Sequence, residues 1–446
     1  MLAPFAATSV TKMIIATHCY TQPHDLVQQM GEPDYSYRFV LDRFRPVLDR
    51  IAPTTEVVRP KVEVDAICEF AAAIEHEAIY LSFNPVQQTL VDLKTPTIPV
   101  FAWEFDDLPD GAWNPEEPRE NWAYVLRKCG RCVTHSSHSA EAVHRALGAD
   151  FPVAVIPAPL PKRFETADPQ APIVPVDLCV SGRITDSERL FTDNGVRLAA
   201  VAQGRLDLSA AFALNEKSDV LPPEPQRVTI DPESIVYATV FNPRDGRKNW
   251  RDMVNGFCVA LREENATLVL KVFGRLTQKF HSELNEMLKR LAPMKCRVIA
   301  IDAMLEDDSY LALMQGSHYA LNASHGEGQC LPLMEFMALG KPAVAPHHTG
   351  MLDYLEDDNG FPFRSSSEPA SWPQDPTNRV RTARQRVDME ALVNAISESY
   401  HTARLDWPRY QSLSLKAAEK IRAWAGAGAI EVKLRQLLQT NAPEKA

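Results

Sequence analysis

Short apolar, β-branched runs alternate with longer stretches of helical period over most of the chain. In the first part the runs are Met13–Thr17, Ala78–Phe83, Ile98–Trp103, Cys132–His135 and Val153–Ile156, each reading as a strand buried on both faces. Between them the pattern predicts helices at Tyr35–Ile51, Val64–Glu77, Glu120–Lys128 and Ala140–Leu147, with Ser139 as the N-cap of the last. Pro157, Pro159 and Pro161 then stop regular structure. Alternation of this kind implies a doubly wound α/β layer.

The alternation resumes later. Strands are predicted at Ile235–Phe241, Thr267–Phe273, Arg297–Ile301, Tyr319–Asn322 and Ala343–Ala345, and helices at Trp250–Arg262, Lys279–Leu291, Asp308–Gly316 and Leu331–Leu339. The last 60 or so residues read as helices, Met389–Arg404 and Ser414–Gln439. Residues 162–230 differ: proline gathers at both ends (PQAPIVPVD and LPPEPQRV) and no long helical period appears, as in a small β-rich or irregular insertion. The expected division is therefore 1–161, a first Rossmann-like domain; 162–230, the insertion; 231–425, a second Rossmann-like domain; and 426–446, a helix returning to the first domain. Two such domains in series make a cleft between the C-terminal edges of two parallel sheets, where ligands of open α/β sheets bind.

Length supports two cores, since 446 residues exceed what one core usually fills. Composition, 45% hydrophobic and 24% charged, is that of a globular chain, and no apolar run approaches the ~18 residues of a spanning helix. MLAPFAATSVTKM lacks a basic segment ahead of a long apolar one, so no signal peptide is expected and a cytoplasmic location is the default. A net charge of −11 argues against nucleic acid as a partner, though not against a local basic pocket for one diphosphate. Arg38, Arg43, Arg45, Arg50 and Arg59 cluster in the first domain, reading as a solvated helix face or as a surface for an acceptor or the inner face of a membrane. The eight cysteines suit buried reduced thiols, and the lone pair Cys129 and Cys132 has no second ligand pair for a metal. Aspartate pairs at Asp106–Asp107, Asp307–Asp308 and Asp357–Asp358 read as loop and helix-start charges, not metal ligands. His18 and His135 read as structural, and the aromatic stretch Trp113–Trp122 as either cleft lining or a packed loop.

The chemistry concentrates in His325-Gly-Glu-Gly-Gln-Cys-Leu-Pro-Leu-Met-Glu-Phe-Met-Ala-Leu-Gly340-Lys-Pro342, which leaves a strand and enters a helix closed by Gly340. Gly326 and Gly328 let backbone N–H groups approach a ligand closely, and the helix start at Cys330–Leu331 would point free N–H groups into the cleft, a setting for phosphate. Glu327 in the loop and Glu335 in the helix would flank that anion site. Carboxylates are poor phosphate ligands and good acceptors from ribose and sugar hydroxyls.

This segment resembles the E-x7-E signature of retaining glycosyltransferases of the GT-B fold, family four especially, often written E-G-F-G-L-P-x-x-E-A-M-A-x-G-x-P. Glu327, Gly328, Leu331, Pro332, Glu335, Met337, Ala338, Gly340 and Pro342 match; Gln329, Cys330 and Phe336 depart, replacing an aromatic residue, a glycine and an alanine. The family also carries an arginine and a lysine after the first strand of the second domain. Here Phe241-Asn-Pro-Arg244-Asp-Gly-Arg247-Lys248-Asn-Trp offers Lys248 and either Arg244 or Arg247, with Arg244 preferred. Weaker echoes are Cys132–Leu147 with Val155-Ile-Pro-Ala-Pro, and Val272-Phe-Gly-Arg and Ile301–Leu305 near the family's base site. Where relatives often have a histidine facing the donor sugar, this chain has Glu104.

The resemblance implies a metal-independent transferase without a cofactor. It would move a hexose or deoxyhexose from a nucleotide-sugar donor, bound by the second domain, to a carbohydrate or lipid-linked glycan acceptor facing the first, as in polysaccharide biosynthesis. Glu327, Lys248, Arg244 and Glu104 would be catalytic; Glu335, Arg247, Gly326, Gly328, Cys330 and Leu331 would bind the donor. A nucleotide-sugar epimerase or hydrolase, and a non-catalytic nucleotide-sugar-binding subunit, are the alternatives. Donor base, acceptor and oligomeric state are not legible.

Overall fold

The computed structural model describes residues 12–24, 34–190, 224–274, 277–372, 377 and 381–439. Two parallel sheets organise them. The first holds β1 (Met13–His18), β2 (Thr54–Glu56), β3 (Glu77–Ser82), β4 (Thr97–Phe101), β5 (Cys132–Thr134) and β6 (Val153–Val155) in the order β2-β1-β3-β4-β5-β6, every neighbour parallel. Five of these strands fall on the five apolar runs. The other, β2, has three residues, Thr-Thr-Glu, too few and too polar to carry a period.

Around this sheet lie α1 (Ser36–Leu48), α2 (Pro60–Ala73), α3 (Trp122–Cys129) and α4 (Ser137–Leu147). Val40, Leu41, Phe44, Val47 and Leu48 of α1 recur at helical spacing and share one core with Ile15, Ile79 and Val100. The N-cap of α4 is Ser136, not Ser139. Ser136 is extended (φ −149°, ψ 156°) and its hydroxyl accepts from the Ser139 N–H at 3.2 Å. Ser139 is already inside the first turn, and its hydroxyl donates to the Trp103 carbonyl at 2.6 Å.

The second sheet runs β15-β14-β13-β10-β11-β12-β8, where β8 is Arg183–Asp186. Its parallel strands are β10 (Ile235–Phe241), β11 (Ala266–Val272), β12 (Arg297–Asp302), β13 (Tyr319–Leu321), β14 (Ala343–Pro346) and β15 (Gly360–Phe363). They are covered by α5 (Trp250–Ala260), α6 (Gln278–Leu291), α7 (Asp307–Gln315) and α8 (Leu331–Ala338). Gly340, at φ +72°, follows α8 in the left-handed conformation its position requires.

The expected insertion does not stand wholly apart. Its β8 (Arg183–Asp186) closes the edge of the second sheet antiparallel to β12, with Arg297 bonded to Asp186 at 2.7 Å. A two-stranded pair, β7 (Asp177–Val180) and β9 (Gln226–Thr229), sends Leu178, Val180 and Val228 into the core that holds Val236, Val269 and Ile301. Residues 191–223 of that stretch lie outside the described residues. A second antiparallel pair, β16 (Ser365–Ser371) and β17 (Arg381–Val387), follows β15.

The chain ends in three helices, α9 (Met389–Leu405), α10 (Trp407–Ala425) and α11 (Ala427–Gln439). The single helix expected over Ser414–Gln439 is broken at Gly426, whose backbone is extended (φ −64°, ψ 145°). Ile430, Leu434, Leu437 and Leu438 of α11 join the first domain's core, and Glu431 pairs with Arg50 of the loop after α1 at 2.8 Å. Among the described residues no helix is long and apolar enough to cross a membrane.

Candidate functional site

The second sheet fixes where its ligand belongs. From β10 the chain winds outward through β11 and β12 on one side, then returns to build β13, β14 and β15 on the other, so β10 and β13 are the neighbours at which winding reverses. The loops leaving these two strands part from each other there and open a crevice at the C-terminal edge. One loop carries Arg247 and Lys248; the other carries Glu327.

Local structure brings these side chains together. After β10 the chain makes a 3-10 turn over Gly246–Lys248, capped by Asp245, whose carboxylate accepts from the Arg247 N–H at 3.1 Å. Asn249 ends the turn at φ +48° and donates from its amide to the Ala323 carbonyl at 3.0 Å, tying this loop to the other. The His325 N–H donates to the Arg247 carbonyl at 2.7 Å, a second tie. Lys248 then reaches both oxygens of Glu327 at 2.7 and 2.9 Å, and Ser324 donates to one of them at 2.6 Å. Arg247 touches the same carboxylate at 3.4 Å, Asp245 at 2.9 Å and the Gly326 carbonyl at 2.9 Å. Burial by itself would raise the Glu327 pKa, but Lys248, Arg247 and Ser324 hold it down to about 2, so the carboxylate is ionised.

The first domain completes the centre. Glu104, just past β4, pairs with the Arg247 Nε at 3.0 Å across the cleft. Burial pushes the Glu104 pKa up, Arg247 opposes this, and Asp245 and Glu327 add to it as like charges. Arg247 is thus shared by Glu104, Asp245 and Glu327, whereas Arg244 is exposed on the rim of the turn. Of the two candidate arginines Arg247 is the one turned inward, by the left-handed Asn249 and the Asp245 cap.

Glu335 lies in the second turn of α8 and its carboxylate is bonded by Arg43 of α1 and by the Tyr310 hydroxyl, the latter at 3.0 Å. It has no bond to the Glu327 cluster among the described residues. The sequence marks Arg43 only as one of the clustered arginines and Tyr310 not at all, and nothing local ties either to Glu335: Arg43 is 292 positions away.

Gly326 and Gly328 serve the approach of the first domain. A β-carbon on Gly328 would stand 2.8 Å from the Ala102 Cβ, and one on Gly326 would stand 3.0 Å from the Glu104 carbonyl. A third glycine, Gly350, seals the loop from behind: its N–H bonds the Glu327 carbonyl at 2.9 Å, and a β-carbon there would lie 2.5 Å from the Gly328 carbonyl. Gly350→Ala is expected to push the Glu327 loop out of place, costing about 1–3 kcal/mol of stability by overpacking. A lowered thermal midpoint together with weakened ligand binding checks this; wild-type values for both would contradict it.

The departures from the resembled signature are accommodated. Cys330 adopts φ +62° and ψ 66°, the left-handed backbone a glycine would take freely. Its thiol, with Asn322 donating at 3.4 Å, is pushed by burial to a pKa of about 12 and is not a thiolate. Leu331 opens α8 directly behind it. Gln329 bonds both backbone groups of Ala158 in the proline-rich exit linker, accepting at 3.0 Å and donating at 3.4 Å.

The other candidates have partners within the fold. His135 and His18 bond the Ile156 and Val57 carbonyls through Nδ1, each at 2.9 Å, and burial lowers both pKa values. The clustered arginines form no free basic surface: Arg38 pairs with Asp42 and Glu56, Arg43 with Glu335, Arg45 with Asp49, Arg50 with Glu431 and Arg59 with Glu63. Asp307 pairs with Arg163 and Asp358 with Lys416, and no group of three or more metal-ligating side chains occurs among the described residues. The aromatic stretch is packed: Trp113 in the loop meets Trp372 at 5.1 Å, and Trp122, which opens α3, meets Trp103 at 4.6 Å. Arg275, of the stretch beginning at Val272, lies outside the described residues.

Comparison with known proteins agrees with this frame. Residues 233–374 match the family model described as glycosyl transferases group 1. No curated protein matches the chain in sequence. Among solved structures the chain is similar to a glycosyltransferase from Rickettsia africae (TM-score 0.57, 10% identity, covering 97% of this chain and 100% of that one). It is similar also to sucrose-phosphate synthase from Thermosynechococcus elongatus (TM-score 0.54, 13% identity, 96% and 98% covered) and to HepE from Anabaena (TM-score 0.52, 14% identity, 96% and 99% covered). At these identities the likeness is one of fold: two Rossmann-like domains in the GT-B arrangement.

Proposed function

We propose that this chain, a glycosyltransferase of the group 1 type, transfers a sugar from a nucleotide-sugar to a hydroxyl of a glycan, glycolipid or similar acceptor, with retention of anomeric configuration. The observation that carries the reading is the pair of cations, Arg247 and Lys248, focused with Glu327 at the switch point of the second sheet. Cations fixed there stabilise charge that develops on a leaving diphosphate. In the proposed step the acceptor oxygen bonds to the anomeric carbon as that carbon's bond to the phosphate oxygen breaks. The electron pair leaves with the nucleoside diphosphate, and the hydroxyl proton passes to a diphosphate oxygen on the same face. Glu327 would hold the transferred sugar, Glu335 the ribose, and Glu104 hydroxyls brought in from the first-domain side. The resemblance to family four and its E-x7-E segment supports retention and a donor role for Glu327 and Glu335.

HepE was solved with UDP and glucose, which makes UDP the first nucleotide to try. UDP, GDP, dTDP and ADP are to be compared by thermal shift. One of them, at a hundredfold excess over Kd, is expected to stabilise the protein by about 2.7 kcal/mol. No shift with any of the four would count against the whole reading.

Because Arg247 and Lys248 supply the positive charge, EDTA is expected to leave the initial rate of donor turnover unchanged. A strict requirement for magnesium or manganese would contradict that assignment.

A further inference from the structure

Helix α1 presents two faces. Val40, Leu41, Phe44, Val47 and Leu48 pack into the first domain, while Tyr35 at its N-cap and Arg43 reach the second domain, with Phe39 edge-on to Tyr35 between them in sequence. Tyr35 meets Phe273, at the end of β11, with ring centroids 5.6 Å apart. Two turns on, Arg43 donates from Nη2 to Glu335 of α8. The helix therefore lies along the C-terminal edge of the second sheet, over the ground between the loop after β11 and the start of α8.

Arg43 is not fully used there. Its side chain is 12% exposed, and its Nη1 is buried without a hydrogen-bond partner among the described residues. A guanidinium carries five N–H donors in a fixed fork and cannot shed its charge, so a buried unmet donor is costly unless an acceptor comes to it. Glu335 is committed on both sides, to Arg43 through Oε1 and to Tyr310 through Oε2. No described residue supplies the acceptor, which leaves the position to an oxygen of a ligand that reaches Glu335.

We propose that Arg43 is a donor-binding residue supplied by the first domain: its free Nη1 donates to a ribose hydroxyl oxygen of the nucleoside diphosphate seated on the second domain, beside Glu335. This rests on the donor site proposed above. It makes the nucleotide a bridge between the domains, held by the second through Arg247, Lys248 and Glu335 and by the first through Arg43. The Arg43 charge also offsets that of Glu335, which otherwise would stand as a buried anion beside a diphosphate.

The test compares two probes by calorimetry: the member of the UDP, GDP, dTDP and ADP set that binds the wild type, and inorganic pyrophosphate, which has no ribose. Arg43→Met is expected to weaken the nucleoside diphosphate about tenfold or more and pyrophosphate less than about twofold, as for loss of one charged hydrogen bond at the ribose end. Arg43→Lys, which keeps the charge over Glu335 and loses the fork, is expected to fall between, and it provides the reading if the methionine variant does not fold. Unchanged or tighter nucleotide binding in the variants would overturn the proposal, leaving Arg43 a structural partner of Glu335 or its competitor. So would an equal loss for pyrophosphate. If none of the four nucleotides binds the wild type, the donor-site reading itself falls, and this inference with it.

Discussion

Replacing Lys248 with methionine is expected to slow donor turnover about 100- to 1000-fold, the usual cost of removing one fixed group that stabilises developing negative charge. Lys248 contacts both oxygens of Glu327 at 2.7 and 2.9 Å, so it stands at the charged centre rather than at its rim. The same change leaves Glu327 with Ser324, Asn322 and Arg247 as partners, which limits the damage to the fold. Initial rates of nucleoside diphosphate release, with the thermal midpoint measured alongside, separate the two effects. A variant that folds and keeps more than about a tenth of the wild-type rate would remove Lys248 from the chemistry.

The second large effect distinguishes the two glutamates. Glu335→Gln is expected to weaken binding of the free nucleoside diphosphate by about 1–3 kcal/mol, the range for a hydrogen bond to a charged group. Glu327→Gln is expected to spare or tighten that binding, because it releases Lys248 from its carboxylate, and to lower turnover of the intact donor instead. Calorimetry with the diphosphate alone, beside initial rates with the nucleotide-sugar, reads both. Equal loss of nucleotide affinity in the two variants would show that the roles are wrongly divided.

What the chain revealed beforehand follows from range. The strands of both sheets are apolar runs bounded by polar turns, so periodicity found all but those that are short, polar or added from elsewhere: β2, β8, β15 and the two antiparallel pairs. Glu327, Glu335 and the end of α8 lie within one continuous stretch, and their loop-then-helix placement could be read directly. Arg247 could not be told from Arg244 by spacing, because the choice depends on the left-handed Asn249 and the Asp245 cap. Glu104 is marked by its place after β4, but its pairing with Arg247, like that of Arg43 with Glu335, depends on how two domains meet, and residues 143 and 292 positions apart leave no periodic trace. Ser136 and Ser139 are alike in type; the extended backbone of Ser136 and its bond from the Ser139 N–H settle which one caps, while the Ser139 hydroxyl goes to the Trp103 carbonyl. The glycines of the Glu327 loop were expected to admit a ligand, whereas their missing β-carbons first make room for Ala102 and Glu104.

The central claim is that a nucleoside diphosphate sits at the switch point of the second sheet, held by Arg247 and Lys248. A crystal structure of the protein with the nucleotide selected by thermal shift tests this most directly. The account predicts the diphosphate within hydrogen-bond reach of the Lys248 ammonium and the Arg247 guanidinium, with the ribose at Glu335. A nucleotide bound elsewhere, with Lys248 still on Glu327 and Arg247 still on Glu104, would contradict it.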